Sequence, residues 1–123
     1  MHEMAICTAL LEQIEGIARE HSARVSRVHL SVGPLSGVEP RLLERAYQVV
    51  CVGTVAENSE LVVKEAAVRV RCRNCGAESS ASAQRLLCAE CGNWQTELTG
   101  GDELLLLKVE LSKESLAVMA SPD

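Results

Sequence analysis

Four cysteines carry the plainest chemistry in this chain. Cys72 and Cys75 form one C-x-x-C pair; Cys88 and Cys91 form a second after twelve intervening residues, and each pair is followed at once by Gly76 or Gly92. A two-residue spacing lets both thiolates of one turn reach a single ion at about 2.3 Å. The glycine after the second cysteine can take a positive φ, so the chain curls and turns backbone N–H groups toward the sulfurs. Two such knuckles complete a tetrahedral set of four sulfurs, which suits Zn(II), with iron as the chemical rival. A redox couple is normally a single C-x-x-C, so the duplication argues against one. Four thiolates also fill the shell, so no water is activated there and the site is read as structural. Deaminase chemistry, which needs an open zinc position beside a glutamate, is excluded on the same ground.

A second constellation lies at the opposite end. The sequence starts Met1-His2-Glu3, and a bulky second residue should block removal of Met1, leaving a free α-amine. That amine, the deprotonated amide nitrogen of His2 and the His2 imidazole can chelate one ion through adjoining rings, with the Glu3 amide as a fourth nitrogen. Nitrogen-rich square-planar coordination suits Ni(II) or Cu(II), whereas zinc does not usually displace an amide proton. Amine and imidazole must both shed protons to bind, so the site should release metal on acidification. Taken alone, a histidine at position two is more often incidental.

The elements that must position these groups follow from periodicity. Met4, Cys7, Leu11, Ile14 and Ala18 recur at steps of three and four, with Leu10 and Ile17 widening the stripe, which predicts a helix from about Met4 to His21. Val25 to Val32 alternates apolar and polar, a half-buried strand with His29 on the solvent side. Gly33, Pro34, Ser36 and Gly37 make a turn, and Pro40 opens a second helix with Leu43, Ala46, Tyr47 and Val50 inward and Gly53 as its stop. Cys7 and Cys51 are then inert core thiols. Leu61 to Val70 reads as a second strand and Leu104 to Leu111 as a third, with Leu105, Leu107, Val109 and Leu111 on the main face and Leu104 and Leu106 partly covered. Trp94 is expected to pack over the cysteine ribbon. The tail after Leu111 is expected to start a short helix and fray.

The fold class is therefore α+β: two helices on a small three-stranded mixed sheet, with an inserted zinc-ribbon lobe. Residues 1–70 and 101–123 are assigned to the helix-and-strand domain and 71–100 to the lobe. With 123 residues, 47% of them hydrophobic, one Trp, one Tyr and no Phe, the core is aliphatic and thin enough for a metal clip to matter. The formal charge is −5, and four zinc-bound thiolates would add to it, so a nucleic-acid module is disfavoured. Arg69, Arg71, Arg73 and Arg85 flank the cysteines and are read as partial neutralisation. No apolar run approaches the roughly 20 residues of a membrane span and the start lacks a secretory pattern, so a cytoplasmic protein with reduced thiols is expected. Nucleophile motifs and phosphate-cradling loops are absent, so no enzyme is expected.

Several segments together resemble a known family. M-H-E-M at the start, G-P-L-S-G-V-E-P before the second helix, V-G-T-V-A-E after it, the paired C-x-x-C-G knuckles and G-G-D-E-L before the last strand are similar, in order, to the HypA/HybF hydrogenase-maturation nickel chaperones. The resemblance runs from Met1 to about Leu111. It implies that His2 is a nickel ligand, aided by the Met1 amine and the Glu3 backbone amide. Glu39 stands where the family has an acid near the nickel site, and the four cysteines match its structural zinc ligands. It further implies delivery of Ni(II) to the large subunit of [NiFe]-hydrogenase beside a nickel-binding GTPase (HypB), with urease maturation factors served by some members. The chain departs from commoner members in lacking Pro after the first cysteine of either knuckle. Two other readings stay open: a zinc-ribbon nucleic-acid module, and a structural adaptor in which His2 is idle.

Overall fold

The computed structural model describes residues 2–112. Met1 and the tail beyond Ser112, including the expected short helix, lie outside the described residues. The element order is α1 (Glu3–Glu20), β1 (Arg24–Val32), α2 (Pro40–Val50), β2 (Glu60–Glu65), β3 (Val68–Cys72), β4 (Glu78–Ala81), β5 (Thr96–Gly100) and β6 (Leu104–Ser112). These form two three-stranded sheets, ordered β2-β1-β6 and β4-β3-β5. Contacts divide the chain into two compact units. One is drawn from residues up to Leu30, Glu39–Val63 and Leu106 onward; the other from Ser31–Val38 and Lys64–Leu105.

In the first unit, α1 buries Cys7, Leu10, Leu11, Ile14 and Ala18, α2 buries Leu43 and Tyr47, and β1 buries Val25, Val28 and Leu30. The Cys7 thiol reaches the Leu43 carbonyl at 3.4 Å, binding the two helices at their crossing. Tyr47 is fully buried with its hydroxyl 2.7 Å from Ser59 Oγ, and Ser59 donates to the Ala56 carbonyl, so the one tyrosine hides no unsatisfied polar atom. Burial pushes the Cys7 thiol up to about 11 and raises that of Cys51 as well, which makes both inert at neutral pH.

Two expectations about the first unit change. The inward place expected for Met4 at the start of α1 is taken by Glu3, which is buried while Met4 is half exposed. The burial is tolerated because the Glu3 carboxylate accepts a hydrogen bond from the Glu39 N–H at 3.1 Å. Leu105 and Leu107, expected inward on β6, are about half exposed (48% and 52%), while Leu104 and Leu106 are the more covered pair. Leucines stand on both faces over the first half of this strand, before Lys108 and Glu110, so alternation there does not choose between them.

The second unit shows why Leu61–Val70 is not one strand. β2 ends at Glu65 and β3 begins at Val68, and each joins a different sheet. β3 pairs antiparallel with β4 (Val68 opposite Ala81) and with β5 (Cys72 opposite Thr96), with a bulge between Arg69 and Val70. The small apolar core of this unit holds Val68, Val70, Cys72 and Cys88. Its burial is slight, which leaves the cysteine cluster as its second source of cohesion.

Candidate metal centre

β3 delivers Cys72 at its last residue, and the loop after it curls back on itself. Gly76 N–H donates to the Cys72 carbonyl at 3.0 Å and Cys72 N–H to the Ala77 carbonyl at 2.9 Å. The second knuckle repeats the pattern: Gly92 N–H to the Cys88 carbonyl at 2.8 Å and Cys88 N–H to the Asn93 carbonyl at 3.0 Å. Gly76 and Gly92 sit at φ +78° and +76°, a left-handed turn that a side chain would strain. Within each curl, two backbone N–H groups point at the first sulfur. Asn74 and Cys75 donate to Cys72 Sγ at 3.3 Å, and Glu90 and Cys91 to Cys88 Sγ at 3.4 Å.

The four sulfurs lie within 4.8 Å of one another, with Cys72–Cys91 and Cys75–Cys88 separations of 3.6 Å. A regular tetrahedron with metal–sulfur bonds of about 2.3 Å has edges of about 3.8 Å, so the cluster is already close to the dimensions of a closed four-thiolate site. Cys72 and Cys88 are buried; Cys75 and Cys91 are exposed. The amide hydrogen bonds, that from Cys75 first, bring the Cys72 thiol down to about 6, with burial opposing them, and Cys88 is lowered in the same way, first by the Cys91 N–H. At Cys75 the Ala77 N–H favours the thiolate, but the Cys88 sulfur, burial and the sulfurs of Cys72 and Cys91 outweigh it and push the thiol up to about 12. Four sulfurs this close cannot all ionise without a cation between them, and a divalent ion relieves that repulsion. Among the described residues this is the one group with metal-ligand geometry.

Supports that the spacing could not disclose hold the knuckles in place. Ser79 Oγ on β4 accepts from the Ala89 N–H at 3.1 Å, fixing the approach to the second knuckle. Thr96 Oγ1 donates to the Leu86 carbonyl at 2.6 Å, and Asn74 Nδ2 leans toward Cys91 Sγ at 3.8 Å. Arg71 and Arg69 pair with Glu78 at 3.5 and 4.0 Å, so the expected neutralisation of the thiolates by these two arginines is divided with a carboxylate. Trp94 does not pack over the ribbon: it is 74% exposed. It stands in the short turn between Gly92 and β5, where its own carbonyl accepts from Thr96 and its side chain is left outside.

At the other constellation, His2 is exposed and forms the N-cap of α1, its carbonyl accepting from the Ile6 N–H at 2.9 Å. Its side chain makes no capping hydrogen bond. Glu3 is the first helical residue and is held by the Glu39 N–H. Glu39 caps α2, its Oε1 accepting from the Arg41 N–H at 3.3 Å. Of the residues singled out at this end, Glu3 and Glu39 are thus brought together, through a backbone donor that sequence patterns do not reveal. Met1 falls outside the described residues. The isolated histidine of β1, His29, is half buried and bonded to Glu110 of β6 at 2.5 Å.

Residues 1–111 match the family described as "Hydrogenase/urease nickel incorporation, metallochaperone, hypA". The hydrogenase maturation factor HypA of Nitrosospira multiformis is 46% identical over 112 residues, spanning 90% of this chain and 97% of that protein. Its counterpart in Aquifex aeolicus is 42% identical over the same shares. Among solved structures, a HypA solution structure superposes with a TM-score of 0.73 over 93% of this chain and 98% of that one. The Helicobacter pylori Ni metallochaperone HypA gives 0.66 over 90% and 97%. Both are 23% identical to this chain and speak to the fold.

Proposed function

The chain belongs to the HypA family of hydrogenase and urease nickel-incorporation metallochaperones, maturation factors and not enzymes, and we propose that it carries Ni(II) at its N-terminus and Zn(II) on its four cysteines. The observation that carries the nickel reading is the placement of His2. It is exposed at the very start of α1, its ring uncommitted to capping, with Glu3 as the next residue. The Met1 amine, the His2 amide and imidazole, and the Glu3 amide supply four nitrogens. Two ionised amides balance the charge of Ni(II), so loading adds no net positive charge beside the helix N-terminus, where cations are disfavoured. Glu39 supports the site through its backbone N–H on Glu3.

Zn(II) on Cys72, Cys75, Cys88 and Cys91 is supported by the closed sulfur tetrahedron and the amide hydrogen bonds. Its role is to hold the ribbon together. A saturated shell on this side leaves cargo exchange to the N-terminus, where an exposed, proton-sensitive site can give metal up. The recipient is the large subunit of [NiFe]-hydrogenase, reached with a HypB-type nickel-binding GTPase that supplies the energy this chain lacks; the family description names urease as well. Among the described residues no helix is long and apolar enough to cross a membrane, and the reduced cysteine cluster suits the cytoplasm.

Calorimetric titration of Ni(II) into protein with its native N-terminus tests the nickel reading. One tight site is expected, weakened at least a hundredfold by His2→Ala; equal affinity in both proteins rejects it.

A further inference from the structure

β6 is the last strand of the first unit's sheet, whose order is β2-β1-β6. Among the described residues no further strand pairs with its outer edge. Such an edge is a template for another strand, and charge, bulges or cover are the usual means of blunting it. From Leu106 to Leu111 the residues read L-L-K-V-E-L. Of the two charges, Glu110 is engaged toward β1, by His29 at 2.5 Å and Arg27 at 3.3 Å. Lys108 is exposed and has no ion-pair partner among the described residues. Leu107 is also left open, at 52% exposed, while Leu106, Val109 and Leu111 are half-buried.

The order of these residues is self-complementary. Opposed residues of an antiparallel pair share a face, so a twofold axis between two copies of one strand passes through a residue, and its flanks pair crosswise. With the axis at Val109, Lys108 of each copy stands opposite Glu110 of the other, and Leu107 opposite Leu111. With the axis at Lys108 or at Glu110, that charge stands opposite itself. Like charges directly opposed destabilise paired strands, whereas opposite charges and apolar pairs support them. Charge therefore selects one register, and the same register covers Leu107. An ionised carboxylate offers about four lone-pair sites, so Glu110 can accept a further donor beside His29 and Arg27.

We propose that the outer edge of β6 is a docking surface for a second copy of this chain, joining two three-stranded sheets into one of six strands with the twofold axis at Val109. Only Leu107 to Leu111 of each copy pair directly, against the roughly 20–30 residues a side of a standard interface. The dimer is accordingly weak and forms with rising concentration. It uses neither metal and is independent of the function proposed above.

The test uses full-length, zinc-loaded protein. Sedimentation equilibrium should show a monomer–dimer equilibrium with a dissociation constant on the order of 100 μM. Leu107→Lys, at a position the monomer leaves half exposed, should weaken the dimer about tenfold or more, and Lys108→Glu, which sets Glu against Glu110, by a similar factor. Should Leu107→Lys lose the native urea midpoint, Lys108→Glu decides. The register is read by carbodiimide cross-linking of an equal mixture of isotopically labelled and unlabelled protein, in which Lys108–Glu110 links should join a heavy chain to a light one. Protein that stays monomeric up to about 1 mM overturns the proposal. So does a dimer that both substitutions leave unchanged, or one in which every Lys108–Glu110 link lies within a single chain.

Discussion

Residue types at this chain's two ends do opposite work with similar donors. The thiols of Cys7 and Cys51 are raised by burial and face no cation, whereas those of Cys72 and Cys88 are lowered by pairs of backbone N–H groups. Alkylation of the native protein with iodoacetamide should therefore leave Cys7 and Cys51 unmodified until denaturant is added; rapid labelling of either would show that the helix pair is not closed over them. The cluster cysteines were legible from spacing, because knuckle geometry is local and a four-residue motif contains most of it. Glu3 and Trp94 were not. The buried carboxylate is met by the Glu39 N–H, 36 residues away in sequence, and an exposed tryptophan contradicts the usual preference of a large ring for cover. Neither exception has a local signature.

At the scale of elements, the helices and β1 follow their hydrophobic periods because each has one polar face and one apolar face. β6 does not, since leucines line both of its faces and solvent covers the side expected inward. The break at Ala66 and Ala67 was equally silent: valines continue through it, and only pairing partners distinguish β2 from β3. The knuckles make the sharpest prediction at this scale. A Cβ on Gly76 meets nothing within 4 Å, so Gly76→Ala costs only the left-handed backbone, about 1 kcal/mol. Competition against a chelator should then show zinc held about fivefold more weakly. No change would mean that the curl relaxes freely, and complete loss would mean that more than the turn depends on this glycine.

For the whole molecule, metal and charge determine how the fold responds to its surroundings. Glu110 is held below its ordinary value of 4.5, first by its bond to His29 and then, against burial, by Arg27, which also pairs with Glu60 at 2.9 Å. A carboxyl depressed on folding contributes stability above its unfolded value, and that contribution fades as pH falls through the folded one. The urea midpoint of the native protein should thus drop more steeply below about pH 4.5 than that of Glu110→Gln; parallel acid limbs would show that the cluster is idle.

The central claim places cargo on the N-terminal nitrogens and not on the sulfurs. Its most direct measurement is the nuclear magnetic resonance spectrum of zinc-loaded protein titrated with Ni(II), with the native N-terminus and with a short extension ahead of Met1. Square-planar nitrogen ligation gives diamagnetic nickel, so the native protein should keep sharp lines, with shifts confined to His2, Glu3 and Glu39, and the extended protein should show none of them. Identical shifts in both proteins, or shifts centred on Cys72 and Cys91, would contradict the account.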